Sequence, residues 1–289
     1  IFGFAHDIAT VAAISNAGGY GVYGATRRFP DEITQELAQI KALVGERPFG
    51  VDLVLPPGMP EHDSREAIEI DIPDEHKAFV QSIIEQYNIP PATQPGMRTR
   101  FIRSAEIEAA QIQSVLASPV NMFACGIGAP APVIEAAKAQ GMTTLALIGS
   151  PHHVARTIAA GVDIIVAQGY DAGAHTGTIG TYSLVPQIVE AAGDVPVLVA
   201  GGVATGKHIA AALAMGAQGV WMGTAWLFSE EHQGHMHPIN TQKLIEAGSG
   251  DTVITRSESG KTFRQVRSGW SQAWEAEGAP APLKMPYQD

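Results

Sequence analysis

Along the second half of the chain, short aliphatic and β-branched runs alternate with Ala-rich stretches whose apolar positions recur every three to four residues. Thr143–Ile148, Asp163–Ala167, Val195–Ala200 and Gly219–Met222 read as strands. The intervening stretches Pro130–Gln140, His152–Ala160, Leu184–Ala192 and Gly206–Met215 read as helices. The strand runs are apolar at successive positions, the pattern of strands covered on both faces. Such alternation with short joints predicts parallel strands linked by helical crossovers. Three joints, at 139–142, 160–163 and 215–218, place a glycine after a helix and before a strand, where a left-handed helix C-terminus needs one.

The first half is less regular. Asp7–Ala17 reads as a helix followed by Gly18-Gly19, then a strand near Tyr20–Tyr23, an amphipathic helix over Asp31–Val44, a strand over Phe49–Leu55, and another strand near residue 120. No strand is read before the first helix. Ile1-Phe2-Gly3-Phe4 reads as the middle of a segment, and strand 1 is expected to be missing from the numbered chain. With that strand counted the total is eight, which predicts an α/β fold of the closed (β/α)8 TIM-barrel type rather than an open doubly wound sheet. Residues 56–104 interrupt the pattern and read as an insertion after strand 3, on the rim where barrel active sites lie, as a lid or an oligomer contact. The expected division is a barrel over 1–255 and an extension over 256–289. That extension holds a helical Gln265–Glu275 stretch, with Trp270 and Trp274 four apart, and a Pro-rich tail packed on the barrel or across the boundary of a homodimer.

Composition narrows the function. Of 289 residues, 45% are hydrophobic, enough for a large core. The formal net charge of -11 argues against nucleic acid and anionic membranes as partners, without forbidding a local anion site. Cys125 is the one cysteine, so no disulfide forms within the chain and a reducing, cytoplasmic setting is expected. The sequence has no uncharged apolar run of membrane-spanning length and no signal-peptide pattern.

The chemistry concentrates at the ends of the last three strands. Leu198–Gly206 is a strand, a Gly201-Gly202 turn and a helix start, and Val220–Thr224 is a strand ending in Gly223-Thr224. Loops after strands 7 and 8 of α/β barrels often form a phosphate site, because glycine lets the backbone approach and N–H groups point at the anion. A single Gly-Gly is only a tight turn; two such loops in successive units point to phosphate. After strand 6, Gln168 can offer a donor and an acceptor to a heterocycle edge, and Gly169, Gly173 and Gly177 flank His175. Most loop histidines only face solvent, but one on this rim is a candidate acid, base or oxyanion donor. His152-His153 reads as surface. His232, His235 and His237 lack a cysteine or carboxylate pattern to complete a metal site, so none is expected. Cys125 follows strand 4 as a small buried or rim thiol.

The runs Ala167-Gln168-Gly169-x-Asp171-Ala172-Gly173-x-His175, Ala200-Gly201-Gly202-Val203 and Met222-Gly223-Thr224 resemble the nitronate monooxygenase family, formerly called 2-nitropropane dioxygenases. The similarity extends to Ser15–Gly19 and Pro48–Asp52. It covers most of the chain except 56–104 and the tail. The resemblance implies an FMN-bound barrel. Gln168, Gly173, Gly201, Gly202, Gly223 and Thr224 would bind FMN, with Trp221 and Met222 adjacent, and His175 would be the catalytic histidine. Two positions depart from the family pattern. Asp52 stands where the family commonly has Asn, at another FMN contact, and Ala174 replaces a usual glycine, where a methyl group restricts the backbone.

The activity implied is oxidation of alkyl nitronates or nitroalkanes with molecular oxygen, His175 binding the nitro oxygens or taking the α-proton. The insertion and aromatic tail keep a second activity open, in which NAD(P)H reduces FMN and an enoyl thioester or quinone is the acceptor. Two others remain: a non-catalytic flavin- or phosphate-binding barrel, and an IMP-dehydrogenase-like barrel using Cys125.

Overall fold

The computed structural model describes residues 1–60, 65–93, 96, 103–232, 234–285 and 287–288, with only the backbone of 65–67. Eight parallel strands close into a barrel: β1 (Phe2–Ala5), β2 (Tyr20–Gly24), β3 (Phe49–Val54), β4 (Met122–Ile127), β5 (Thr143–Ile148), β6 (Ile164–Gln168), β7 (Val197–Ala200) and β8 (Gly219–Met222). The expectation of an absent first strand is corrected: β1 begins at Phe2. It pairs with β2 through Phe2 opposite Tyr20 and with β8 through Phe2 opposite Trp221, and so closes the ring. Phe-Gly-Phe-Ala escapes notice because it is short and half of it is glycine and alanine. Gly3 is required there, since a Cβ would fall 2.6 Å from Ile14 Cδ1 and 2.8 Å from the Trp226 indole nitrogen.

The helices are α1 (Ile8–Asn16), α2 (Pro30–Val44), α3 (Arg65–Asp71), α4 (Asp74–Gln86), α5 (Ala105–Leu116), α6 (Ala131–Ala139), α7 (Val154–Ala159), α8 (Thr181–Ala192), α9 (Gly206–Ala214), α10 (Pro238–Glu246) and α11 (Gly269–Glu275). Boundaries in the second half fall within a few residues of those read from periodicity. The chain forms two compact units. One holds Ile1–Gly58 and Ile107–Thr241, the other Met59–Glu106 and Gln242–Asp289. No helix among the described residues is long and apolar enough to cross a membrane.

In the barrel unit, side chains alternate between two sides of the sheet. The interior takes Phe2, Phe4, Tyr20, Val22, Met122, Ala124, Leu145, Leu147, Ile164, Val166, Leu198, Ala200 and Trp221. Outward-facing residues pack against the helices in two clusters, one including Tyr23, Phe123 and Cys125, the other Ile165, Val199, Val220 and Met222. This two-sided burial explains why the strands read as continuous apolar runs.

In the other unit, β9 (Thr252–Thr255) and β10 (Phe263–Val266) form an antiparallel hairpin with Thr252 opposite Val266. The helix expected over Gln265–Glu275 thus starts only at Gly269, where Ser268 caps it by accepting from the Ser271 N–H at 3.3 Å. The spacing of Trp270 and Trp274 is helical as read, and Trp274 meets Phe79 of α4 edge-on at 4.8 Å.

Candidate active site

The C-terminal ends of the strands form the mouth of the barrel. Two residues beyond the last interior apolar position, β2, β4, β5 and β8 present Gly24, Gly126, Gly149 and Gly223. A Cβ on Gly223 would have only Phe4 Cδ1 nearby, at 3.9 Å, and one on Gly149 would touch Gly177 and the Gln168 carbonyl at 3.4 Å. The interior layer below is packed with aliphatic and aromatic side chains, so these glycines leave a shallow floor on top of a filled barrel. A flat ring fits such a floor, and added side chains would fill it.

Three loops on one side interlock. Gly169 N–H donates to the Ala200 carbonyl at 3.0 Å, and Thr181 Oγ1 donates to the Gly201 carbonyl at 3.1 Å. Asp171 accepts from the Thr181 N–H at 2.8 Å, holding the start of α8. Gly201 has φ +99, and a Cβ there would sit 2.9 Å from Ala172 N and from Thr181 Oγ1. Gly202 follows at φ +74. Among the described residues, the N–H groups of Gly202 and Val203 have no acceptor. Gly173 brings the loop after β6 against the loop after β8: a Cβ on it would lie 2.7 Å from Thr224 Oγ1. Gly173, Gly201, Gly202, Gly223 and Thr224 therefore share one edge of the mouth.

Gln168 ends β6 and donates through Nε2 to the His175 carbonyl at 3.0 Å, which ties the histidine loop to the strand. His175 is half-buried. Ala174 before it keeps the left-handed conformation, φ +63, in spite of its methyl group. Asp52 on β3 is buried, and a Cβ on Gly126 would lie 3.1 Å from its Oδ1, so its carboxylate lies over the glycine floor. Trp221 faces the interior and stacks on Phe4 at 5.9 Å. Met222 points the other way, into the helix-facing layer, and its carbonyl accepts from the Trp226 indole at 2.8 Å. The structure therefore brings Trp221, but not the Met222 side chain, to the mouth.

Cys125 lies within β4, not after it. It is fully buried on the helix-facing side, and burial, with the charge of Asp52, pushes its thiol up to about 12. Its side chain packs in the helix-facing layer rather than at the mouth, which speaks against the Cys125-based alternative. Of the three later histidines, His232 Nδ1 is 2.7 Å from Asp7 Oδ2, and His235 Nε2 is 3.8 Å from Asp7 Oδ1. His237 instead caps α10, its Nδ1 accepting from the Ile239 N–H at 3.3 Å. The sequence thus hid the carboxylate that faces two of them. No metal-binding cluster is present among the described residues.

Sequence reasoning missed His6 and Asp7. With β1 unread, nothing marked them as the first residues of the barrel's C-terminal rim. His6 occupies the space in front of Gly24, where a Cβ would be 2.5 Å from its Nδ1, and it meets Phe4 edge-on at 4.9 Å.

A family model described as nitronate monooxygenase matches residues 3–288. A Mycobacterium tuberculosis (strain ATCC 25618 / H37Rv) protein named as a monooxygenase is 41% identical over 298 residues, covering 100% of this chain and 78% of its own length. A Bacillus subtilis (strain 168) protein named as a nitronate monooxygenase is 30% identical, with 96% of this chain and 77% of that protein covered. Among solved structures, nitroalkane oxidase from Streptomyces ansochromogenes is similar with a TM-score of 0.79 and 27% identity, over 97% of this chain and 80% of that one. FabK from Thermotoga maritima shares the fold, with a TM-score of 0.72 and 24% identity over 96% of this chain and 75% of that one.

Proposed function

The chain belongs to the nitronate monooxygenase family, and we propose that this oxidoreductase holds FMN at the barrel mouth and oxidises alkyl nitronates with molecular oxygen. The observation that carries the reading is the edge formed by the loops after β6, β7 and β8. There Gly173 lies against Thr224, and among the described residues the N–H groups of Gly202 and Val203 have no acceptor, beside a glycine floor.

In this reading Gly201, Gly202, Gly223 and Thr224 would hold the phosphate, through backbone rather than cationic side chains. That is how a chain of net charge -11 takes an anion. The glycine floor at Gly126 and Gly149 would receive the flat ring. Gln168 is engaged through Nε2 with the His175 carbonyl, which leaves its Oε1 to accept from the ring's edge. Asp52, whose carboxylate adjoins Gly126, and Trp221, which faces the barrel interior, would help to hold the same ring. Met222 contributes only backbone. When bound, FMN supplies electron exchange with an organic substrate and reactivity toward oxygen. His175 binds the nitro oxygens of the anionic substrate, where its charge resides, and the loop tie through Gln168 keeps it in place.

The test is spectroscopic and kinetic. The purified protein is expected to be yellow, to bind FMN stoichiometrically, and to consume oxygen with propionate-3-nitronate or ethyl nitronate. Rapid anaerobic bleaching by NADH or NADPH, with no oxygen uptake on any nitronate, would replace this reading by the NAD(P)H-dependent reductase acting on an enoyl thioester or quinone.

A further inference from the structure

Four consecutive backbone N–H groups after β7 serve two purposes. Those of Gly202 and Val203 have no acceptor among the described residues. Those of Ala204 and Thr205 both donate to His208 Nδ1 at 3.2 Å, and the Thr205 hydroxyl lies 3.2 Å from the same atom. A backbone N–H can only donate, so the lone pair is on Nδ1 and the ring proton on Nε2. Thr205 is the N-cap of α9, and His208 is its third helical residue. The imidazole therefore reaches back over the helix start and ties the end of the turn to the first turn of α9. On the other side of the turn, Thr181 Oγ1 holds the Gly201 carbonyl at 3.1 Å. Gly201 and Gly202, both at positive φ, are freely rotating residues held between two anchors.

The choice of side chain is informative. Glu or Gln is the usual partner at this helix position, and the chain uses one elsewhere: at α2, Glu32 accepts from the Phe29 N–H at 2.8 Å. At α9 a carboxylate would hold the same N–H groups but would add a negative charge beside the donors assigned to the phosphate. Asp171 already brings one carboxylate to the turn. A Cβ on Gly202 would be 3.3 Å from the Asp171 Cβ, and Asp171 Oδ2 accepts from the Thr181 N–H at 2.8 Å. A second carboxylate would add to the repulsion. Neutral imidazole accepts without carrying negative charge. The first turn of α9 has no acidic residue.

We infer that His208 is a positioning residue for the cofactor phosphate. It holds Ala204 and Thr205, and so fixes the short stretch from which the Gly202 and Val203 N–H groups are offered to the anion. The inference rests on the reading of this edge as the phosphate site. It adds a selection: donors set in advance act on the phosphate alone, so phosphorylated flavin is preferred to the bare ring system.

The experiment removes flavin from the full chain and titrates the apoprotein with FMN and with riboflavin, which lacks the phosphate, following flavin fluorescence. The unmodified protein should bind FMN more tightly than riboflavin. His208→Ala should weaken FMN about 10-fold, because the loop must then be ordered on binding, and leave riboflavin within about 2-fold. His208→Gln keeps an acceptor and should stay within about 3-fold of the unmodified protein for both ligands. His208→Glu keeps an acceptor and adds a charge, so its Tm should match that of His208→Gln while FMN weakens at least as much as in His208→Ala. Equal losses of FMN and riboflavin in His208→Ala overturn the inference, since a general structural defect affects both ligands. FMN affinity within about 2-fold of the unmodified value in that variant also overturns it. Should His208→Ala fail to fold, equal FMN affinity in the Gln and Glu variants overturns it instead. If the unmodified protein binds riboflavin as tightly as FMN, the phosphate edge is misassigned and this inference falls with it. If the binding results hold but no nitronate is oxidised, the activity reading fails and the role of His208 stands.

Discussion

The two sides of the barrel mouth are made of different materials. Around β6, β7 and β8 the chain presents backbone: left-handed glycines, unclaimed N–H groups and loops packed so closely that a Cβ has no room. Around β1 and β2 it presents side chains: an imidazole fixed by a carbonyl, an aromatic pair, and a buried carboxylate that joins two loops. A backbone surface suits a permanent anion, because its dipoles bind charge without exchanging protons. The two also differ in what breaks them. The first fails when an atom is added, the second when an atom is removed.

The largest effect is expected from adding atoms to the backbone side. Gly201→Val places a branched side chain at φ +99, where even a Cβ lies 2.9 Å from two atoms and 3.0 Å from a third. Backbone strain of about 1–3 kcal/mol adds to overpacking of about 1–3 kcal/mol, so the loop must move. The purified variant should contain almost no flavin by visible absorbance. Gly206→Ala, five residues on at the start of α9, meets nothing within 4 Å and should retain it. Full flavin content in Gly201→Val would show that the interlocked loops do not form the cofactor edge.

Removing atoms from the other side should cost stability before it costs cofactor. Asp7→Ala deletes an N-cap, worth about 1 kcal/mol, and leaves the buried His232 nitrogen without its acceptor, at about 1–3 kcal/mol. The sum of about 2–4 kcal/mol corresponds to a fall in Tm of roughly 5–15 °C for a domain of this size. Asp7→Asn keeps an acceptor for the cap and should lose less than half as much. Calorimetry on both decides it: an Asp7→Ala protein that melts with the unmodified one would reduce the Asp7–His232 pair to a surface contact.

The same division explains what could be seen in the sequence. Glycine-rich turns after apolar runs are local signals, so the β6–β8 edge was legible down to Gly173, Gly201 and Thr224. The barrel itself was legible because two-sided burial writes continuous apolar strands. The β1 side leaves no such mark. Its strand has four residues, one of them a glycine forced by Ile14 and Trp226, and Asp7 meets a histidine 225 positions away. The face taken by a side chain was also beyond local pattern. Trp221 and Met222 are neighbours in the chain, yet one enters the barrel and the other the helix layer, and Cys125 turns away from the mouth it was thought able to face.

The smallest effect tests where the two materials meet, at the loop that carries His175. Ala174 is exposed and sits at φ +63, so its methyl packs against little and strains the backbone. Left-handed geometry disfavours a Cβ by about 1–2 kcal/mol, and Ala174→Gly removes that strain while giving the unfolded chain about 0.5–1 kcal/mol of extra entropy. A net gain of about 0.5 kcal/mol is expected, a rise in Tm of roughly 1–2 °C. Glycine also reaches backbone states that alanine cannot, which loosens the imidazole held through the Gln168–His175 tie. KM for nitronate should therefore rise a few-fold while Tm rises, because pre-set geometry is part of substrate binding. A variant that gains stability with KM unchanged would mean that Gln168 alone fixes the loop. One that loses stability would mean that the left-handed turn is held by contacts of the alanine methyl.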